Sequence, residues 1–87
     1  MTTSQQILDR LQILRPESLN LEDESSLHAG HAGAASGGGH YRLTIVSPRF
    51  AGLNSVARHR LVYESLGDLM RGPVHALAIT ALTPEEL

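Results

Sequence analysis

Tyr41-Arg42-Leu43-Thr44-Ile45-Val46 alternates polar and apolar side chains, is rich in β-branched residues and runs into Ser47-Pro48. That pattern reads as a strand with one wet and one dry face. Upstream, Ser18-Leu19-Asn20-Leu21-Glu22 alternates in the same way and closes on the acidic run Glu22-Asp23-Glu24. The two strands, joined through a glycine-rich stretch, make a hairpin. Downstream, Asn54 or Ser55 can cap a helix whose apolar positions are Val56, Val62, Tyr63, Leu66, Leu69 and Met70. Gly72-Pro73 punctuates that helix, and Val74-His75-Ala76-Leu77-Ala78-Ile79-Thr80 follows as a third strand with His75, Leu77 and Ile79 on one face. A helical crossover between the second and third strands predicts that this pair is parallel. At the other end, Thr3-Ser4-Gln5-Gln6 fits a capping box, and Ile7, Leu8, Leu11 and Leu14 keep helical spacing until Pro16 stops the helix near Arg15. The order helix, strand, strand, helix, strand predicts one α+β domain over residues 1–87, a three-stranded mixed sheet with helices covering one face.

Composition narrows the chemistry. At 87 residues the chain can bury one small core. Seven arginines and no lysine stand against nine acids, a net charge of −2 with histidine neutral, so affinity for a phosphate backbone is not written into the overall charge. The missing lysine removes a P-loop and Schiff-base chemistry. The missing cysteine removes disulfides, thiol nucleophiles, cysteine-type zinc sites and any iron–sulfur cluster held by this chain alone. No apolar run is long enough to span a bilayer, and the first residues carry neither a basic region nor an apolar core of a secretory signal, so a cytoplasmic location is expected.

Five histidines remain: His28, His31, His40, His59 and His75. His28 and His31 form His-x2-His in HAGHAGAASGGGH, residues 28–40, which holds five of the eight glycines and reads as a flexible loop. Two imidazoles at that spacing can approach one metal but do not close a zinc site. His40 directly precedes a strand and is read first as a packing residue, with a third-ligand role as the alternative. His59 falls on the apolar stripe of its helix, which predicts a buried, structural ring tied to hydrogen-bond partners. His75 opens the third strand behind Gly72-Pro73, a position that suits a rigidly held ligand at a sheet end. The glycines match neither GxGxxG nor GxxxxGK[ST], and no nucleophile elbow is present, which argues against an enzyme.

Phe50-Ala51-Gly52-Leu53-Asn54-Ser55-Val56-Ala57-Arg58-His59-Arg60-Leu61-Val62-Tyr63, followed by Val74-His75-Ala76-Leu77, resembles the F-x-G…RHR…[IV]-H-A-L signature of BolA-like proteins. Asp23-Glu24-Ser25-Ser26-Leu27-His28 and the later Gly39-His40-Tyr41 resemble the D-[ED]-S-x-x-H…H-[FY] stretch of the same family, so the likeness covers nearly the whole chain. It implies a fold like the class II KH domain. It also implies a monothiol glutaredoxin as partner, a bridging [2Fe-2S] cluster shared in the heterodimer, and roles in cluster trafficking, assembly and iron regulation. A chain without cysteine can join such a cluster only if thiolates come from elsewhere; the glutaredoxin would supply one and glutathione the other. Carried over by position, His75 is the C-terminal metal ligand, and the loop ligand is His28, which keeps the S-x-x-H spacing, or His31, deeper in the loop. The runner-up reading is a KH-like transcriptional regulator that binds DNA through Arg49, Arg58 and Arg60, although Gly52-Leu53-Asn54-Ser55 lacks the second glycine of a GxxG loop.

Overall fold

The computed structural model describes residues 1–25 and 39–87. The elements run α1 (Thr3–Leu11), β1 (Ser18–Asp23), β2 (Gly39–Val46), α2 (Ser55–Leu66) and β3 (Val74–Leu82), with short 3-10 turns between and after them. The α+β order is the one the alternation and spacing predict. β1 pairs antiparallel with β2, from Ser18 opposite Val46 to Asp23 opposite Tyr41. β2 pairs in parallel with β3, as a helical crossover requires. The sheet order is therefore β1-β2-β3, which leaves β1 and β3 as the two edges.

The N-terminal cap sits one residue earlier than the sequence suggests. Thr2 Oγ1 accepts the Gln5 N–H at 3.2 Å, and Gln5 Oε1 accepts the Thr2 N–H at 2.8 Å, a reciprocal capping box. Ile7 and Leu11 are wholly buried, and Leu14 completes the apolar face from the 3-10 turn Gln12–Leu14 that replaces the last predicted α-helical turn. Ahead of Pro16, Arg15 takes a left-handed conformation at φ 48° and turns the chain into β1.

Tyr41, Leu43 and Ile45 project from β2 into a core shared with Ile7, Leu11, Phe50, Val62, Leu66 and Val74. Phe50 is 0% exposed, and its truncation to alanine would cost about 3–5 kcal/mol. Two polar side chains tie the layers together. The buried Ser47 hydroxyl donates to the Leu14 carbonyl and accepts the Arg49 N–H, fixing the end of β2 to the end of the α1 segment. Arg10 Nη1 donates to the Leu66 carbonyl at 2.8 Å and to Asp68 Oδ1 at 3.1 Å, so α1 caps the C-terminus of α2.

The apolar stripe of α2 corrects the sequence reading. Val62 and Leu66 are buried, while Val56 is 66% exposed and Tyr63 41% exposed. With 3.6 residues per turn, Leu66 lies about 40° around the helix from Val62, but Tyr63 and Val56 lie about 100° and 120° away, on the flank. His59 sits between those directions and is only partly buried, and no side-chain hydrogen bond holds it among the described residues. The expected buried, tethered histidine is thus a groove residue beside Val56, Arg60 and Tyr63.

Candidate functional site

Across the parallel pair, Gly39 faces Val74 and His40 faces Ala76, so the register slips by one and His75 has no residue opposite it. Such a bulge re-aims a side chain. His75 is exposed and does not share the inward face of Leu77 and Ile79, which pack against the core. The ring that the sequence placed on one face with them is turned out at the sheet end.

The His40 ring lies beside it, with ring centroids 5.2 Å apart and planes inclined at 46°. His40 is held by the strand end that precedes the loop. Its N–H donates to Ser25 Oγ at 3.1 Å, and its carbonyl accepts the Glu24 N–H at 2.8 Å. Ser25 in turn donates its own N–H to Asp23 Oδ1 at 3.0 Å. The hydrogen bonds from Ser25 hold the Asp23 carboxyl below the ordinary carboxylate range, so the clamp is made with an ionised acid. Arg42 Nε reaches Glu24 Oε2 at 3.3 Å. The Asp23-Glu24-Ser25 motif is therefore a clamp that seats His40. At the neighbouring Gly39 a Cβ would come 2.6 Å from the Tyr41 ring, so a larger residue there would have to displace that ring.

The structure thus brings His40 to His75, the pairing that sequence spacing alone leaves open. β2 starts at Gly39, two residues before the predicted strand, and this puts His40 in the ladder. The loop histidines His28 and His31 lie outside the described residues. Two imidazole rings meet at this end of the sheet, His75 exposed and His40 partly buried, and two rings are too few to enclose a metal. Among the described residues no group of three or more His, Asp or Glu is arranged to hold a metal ion.

The arginines separate rather than gather. Arg58 turns back on its own chain: Nε donates to the Leu53 carbonyl at 2.8 Å, and Nη1 donates to the Ala81 carbonyl at 3.0 Å and to Glu86 Oε1 at 2.6 Å. Its side chain is only 13% exposed. Nε and Nη1 are thus committed to the chain's own acceptors, which counts against the phosphate contact expected at Arg58. The Arg58 guanidinium, together with the Thr83 N–H, lowers the Glu86 carboxyl to about 2. Arg49 and Arg60 are exposed and line different grooves, Arg49 with Ile13 and Leu61, Arg60 with Val56, His59 and Tyr63. Sequence reasoning could not see the role of Arg58, whose acceptors lie up to 28 residues away.

Among the described residues no helix is long and apolar enough to cross a membrane. Comparison with known proteins gives one consistent result. Residues 11–86 match the family model of BolA-like proteins. BolA-like protein 1 of Mus musculus is 49% identical over 75 residues, covering 86% of this chain and 53% of the mouse protein, so the chain spans about half the length of that relative. A Vibrio cholerae protein named DNA-binding transcriptional regulator BolA is 46% identical over 83% of this chain and 65% of its own length. The solved BolA domain of SufE1 from Arabidopsis thaliana superposes with a TM-score of 0.86 at 40% identity, covering 100% of this chain and 98% of that one. With its fold, its RHR helix and its HAL strand all accounted for, the chain belongs to the BolA-like family.

Proposed function

We propose that this chain is a non-enzymatic partner of a monothiol glutaredoxin, sharing a bridging [2Fe-2S] cluster in cluster trafficking, assembly and iron regulation. The observation that carries the reading is the His75 ring, exposed on a bulge with the His40 ring 5.2 Å away, in a chain that has no cysteine. Imidazole in place of thiolate on one iron changes the charge and raises the potential of such a cluster, which is the chemistry the bound group would supply. The chain's own part is to hold imidazole rings at fixed positions. A strand fixes His75, and the Asp23–Ser25 clamp fixes His40. His28 and His31 are the loop donors that can join His75, and His40 is a third candidate for the second position. The two thiolates come from the glutaredoxin and from glutathione bound to it.

The test is reconstitution. The purified chain is mixed with a monothiol glutaredoxin, glutathione, iron and sulfide, and the visible circular dichroism is compared with that of the glutaredoxin alone. A distinct spectrum, lost in His75→Ala, is expected. The same spectrum with and without the chain would overturn the reading. Single alanine variants at His28, His31 and His40 then assign the second ligand.

A second reading, DNA binding, draws on the name of the Vibrio cholerae relative and on the exposed Arg49 and Arg60. With Arg58 engaged, the remaining cations predict weak, salt-sensitive affinity. Titration of a DNA duplex at two salt concentrations decides it, and no binding at physiological salt retires this reading.

A further inference from the structure

The Ser47 N–H donates to the Leu82 carbonyl at 2.9 Å, which fixes the phase of the β2–β3 ladder. In a parallel pair this arrangement points both backbone polar groups of Leu82 at β2, and alternation does the same for Thr80, Ala78 and Ala76. Ala81, Ile79 and Leu77 then present their N–H and C=O groups to the free edge. The Ala81 carbonyl confirms the phase, because it is the one Arg58 reaches at 3.0 Å. No described residue hydrogen-bonds the edge groups of Leu77 and Ile79.

Unpaired edges template strand addition, and proteins usually blunt them with charge, proline or a covering element. β1 is blunted by charge: Glu22 and Asp23 lie on it and Glu17 directly precedes it. β3 is not. No Asp, Glu, Lys or Arg lies between Arg71 and Glu85, and the outward residues Ala76, Ala78 and Thr80 are small and exposed. We propose that the β3 edge pairs antiparallel with β3 of a second copy of this chain, about a two-fold axis through Ala78, making one continuous six-stranded sheet.

Three features select a second copy as the occupant. An isologous contact sets each residue against its own kind or its mirror position, and this edge carries no charge to repel itself. Centred on Ala78, Leu77 faces Ile79 of the second copy and Ile79 faces its Leu77, so both become hydrogen-bonded pairs and the edge groups of these two residues are satisfied. The ladder stops there because Arg58 already holds the Ala81 carbonyl. Ala78 meets Ala78 in a non-hydrogen-bonded pair, where side chains approach closely, and Ala76 meets Thr80.

The natural absence of cysteine makes the register directly testable, since a single introduced thiol is the only one present. In the proposed pairing the two Ala78 Cα atoms would lie about 4.5 Å apart, inside the disulfide range. Under mild oxidation, Ala78→Cys should give a covalent dimer about tenfold faster than Ala76→Cys alone, whereas an equimolar mixture of Ala76→Cys and Thr80→Cys should cross-link as a heterodimer. Sedimentation of the unmodified chain should show concentration-dependent dimers, lost in Ala78→Glu and in Ala78→Lys and restored when those two variants are mixed. A unmodified chain that stays monomeric up to millimolar concentration, or an Ala78→Cys variant that cross-links no faster than Ala76→Cys, would overturn the proposal.

Discussion

Arg58 and His75 are the two most conspicuous residues of one sequence signature, RHR on α2 and HAL on β3, and the structure uses them in opposite ways. The Arg58 guanidinium is nearly buried and its donors bind the Leu53 and Ala81 carbonyls and the Glu86 carboxylate, so it closes the C-terminal turn against the sheet edge. His75 is exposed, lifted from the ladder by a bulge, with the His40 ring beside it. A motif residue whose donors are engaged by its own chain holds the fold; one set on a strand with its side chain exposed is left out of that work.

That contrast breaks first at Arg58. Arg58→Ala orphans two partly buried carbonyls and a carboxylate, and is expected to cost about 2–3 kcal/mol, lowering Tm by roughly 10 °C or more. Arg58→Lys should recover little, since one ammonium cannot reproduce the fork. Thermal denaturation followed by circular dichroism measures both. A variant that melts like the parent would remove Arg58 from the fold-holding side of the comparison.

A smaller effect is expected in acid. The Glu86 carboxyl is lowered from 4.5 to about 2, chiefly by the Arg58 hydrogen bond, so its contribution to stability is present in full above the unfolded value and is lost as pH falls from about 4.5 towards 2. Glu86→Gln should therefore show a flatter decline of stability across that window than the parent chain. Urea midpoints measured at successive pH values check it, and parallel curves would deny the Arg58–Glu86 pair its role.

The smallest effects are expected at the histidines. His59→Ala removes a partly exposed ring with no hydrogen-bonded partner among the described residues, and should change stability by no more than about 0.5 kcal/mol. A loss of several times that size would restore the buried reading that its place on the helix suggested.

The sequence made the scaffold legible where local chemistry decides it. The alternation of β2 gave its inward face, Tyr41, Leu43 and Ile45, and the helical crossover gave the parallel β2–β3 pair. Val56 and Tyr63 misled because apolar character does not guarantee burial, and the roll of α2 is set by contacts with α1 and the sheet. The nearness of His40 to His75 was hidden for a related reason. It depends on a one-residue slip between two strands far apart in sequence, and no spacing within either strand encodes it. The structural role of Arg58 was hidden because it brackets His59 with Arg60 as a basic cluster, while its acceptors belong to the loop before α2 and to the C-terminal segment.

The central claim is that His75 faces outward to ligate, and His75→Ala tests it most directly. The variant and the parent chain are each reconstituted with glutaredoxin, glutathione, iron and sulfide at neutral pH, with thermal denaturation and glutaredoxin binding measured in parallel. The account predicts an unchanged melting curve and loss of the visible circular dichroism that distinguishes the mixed complex. An unchanged spectrum with the glutaredoxin still bound would contradict it.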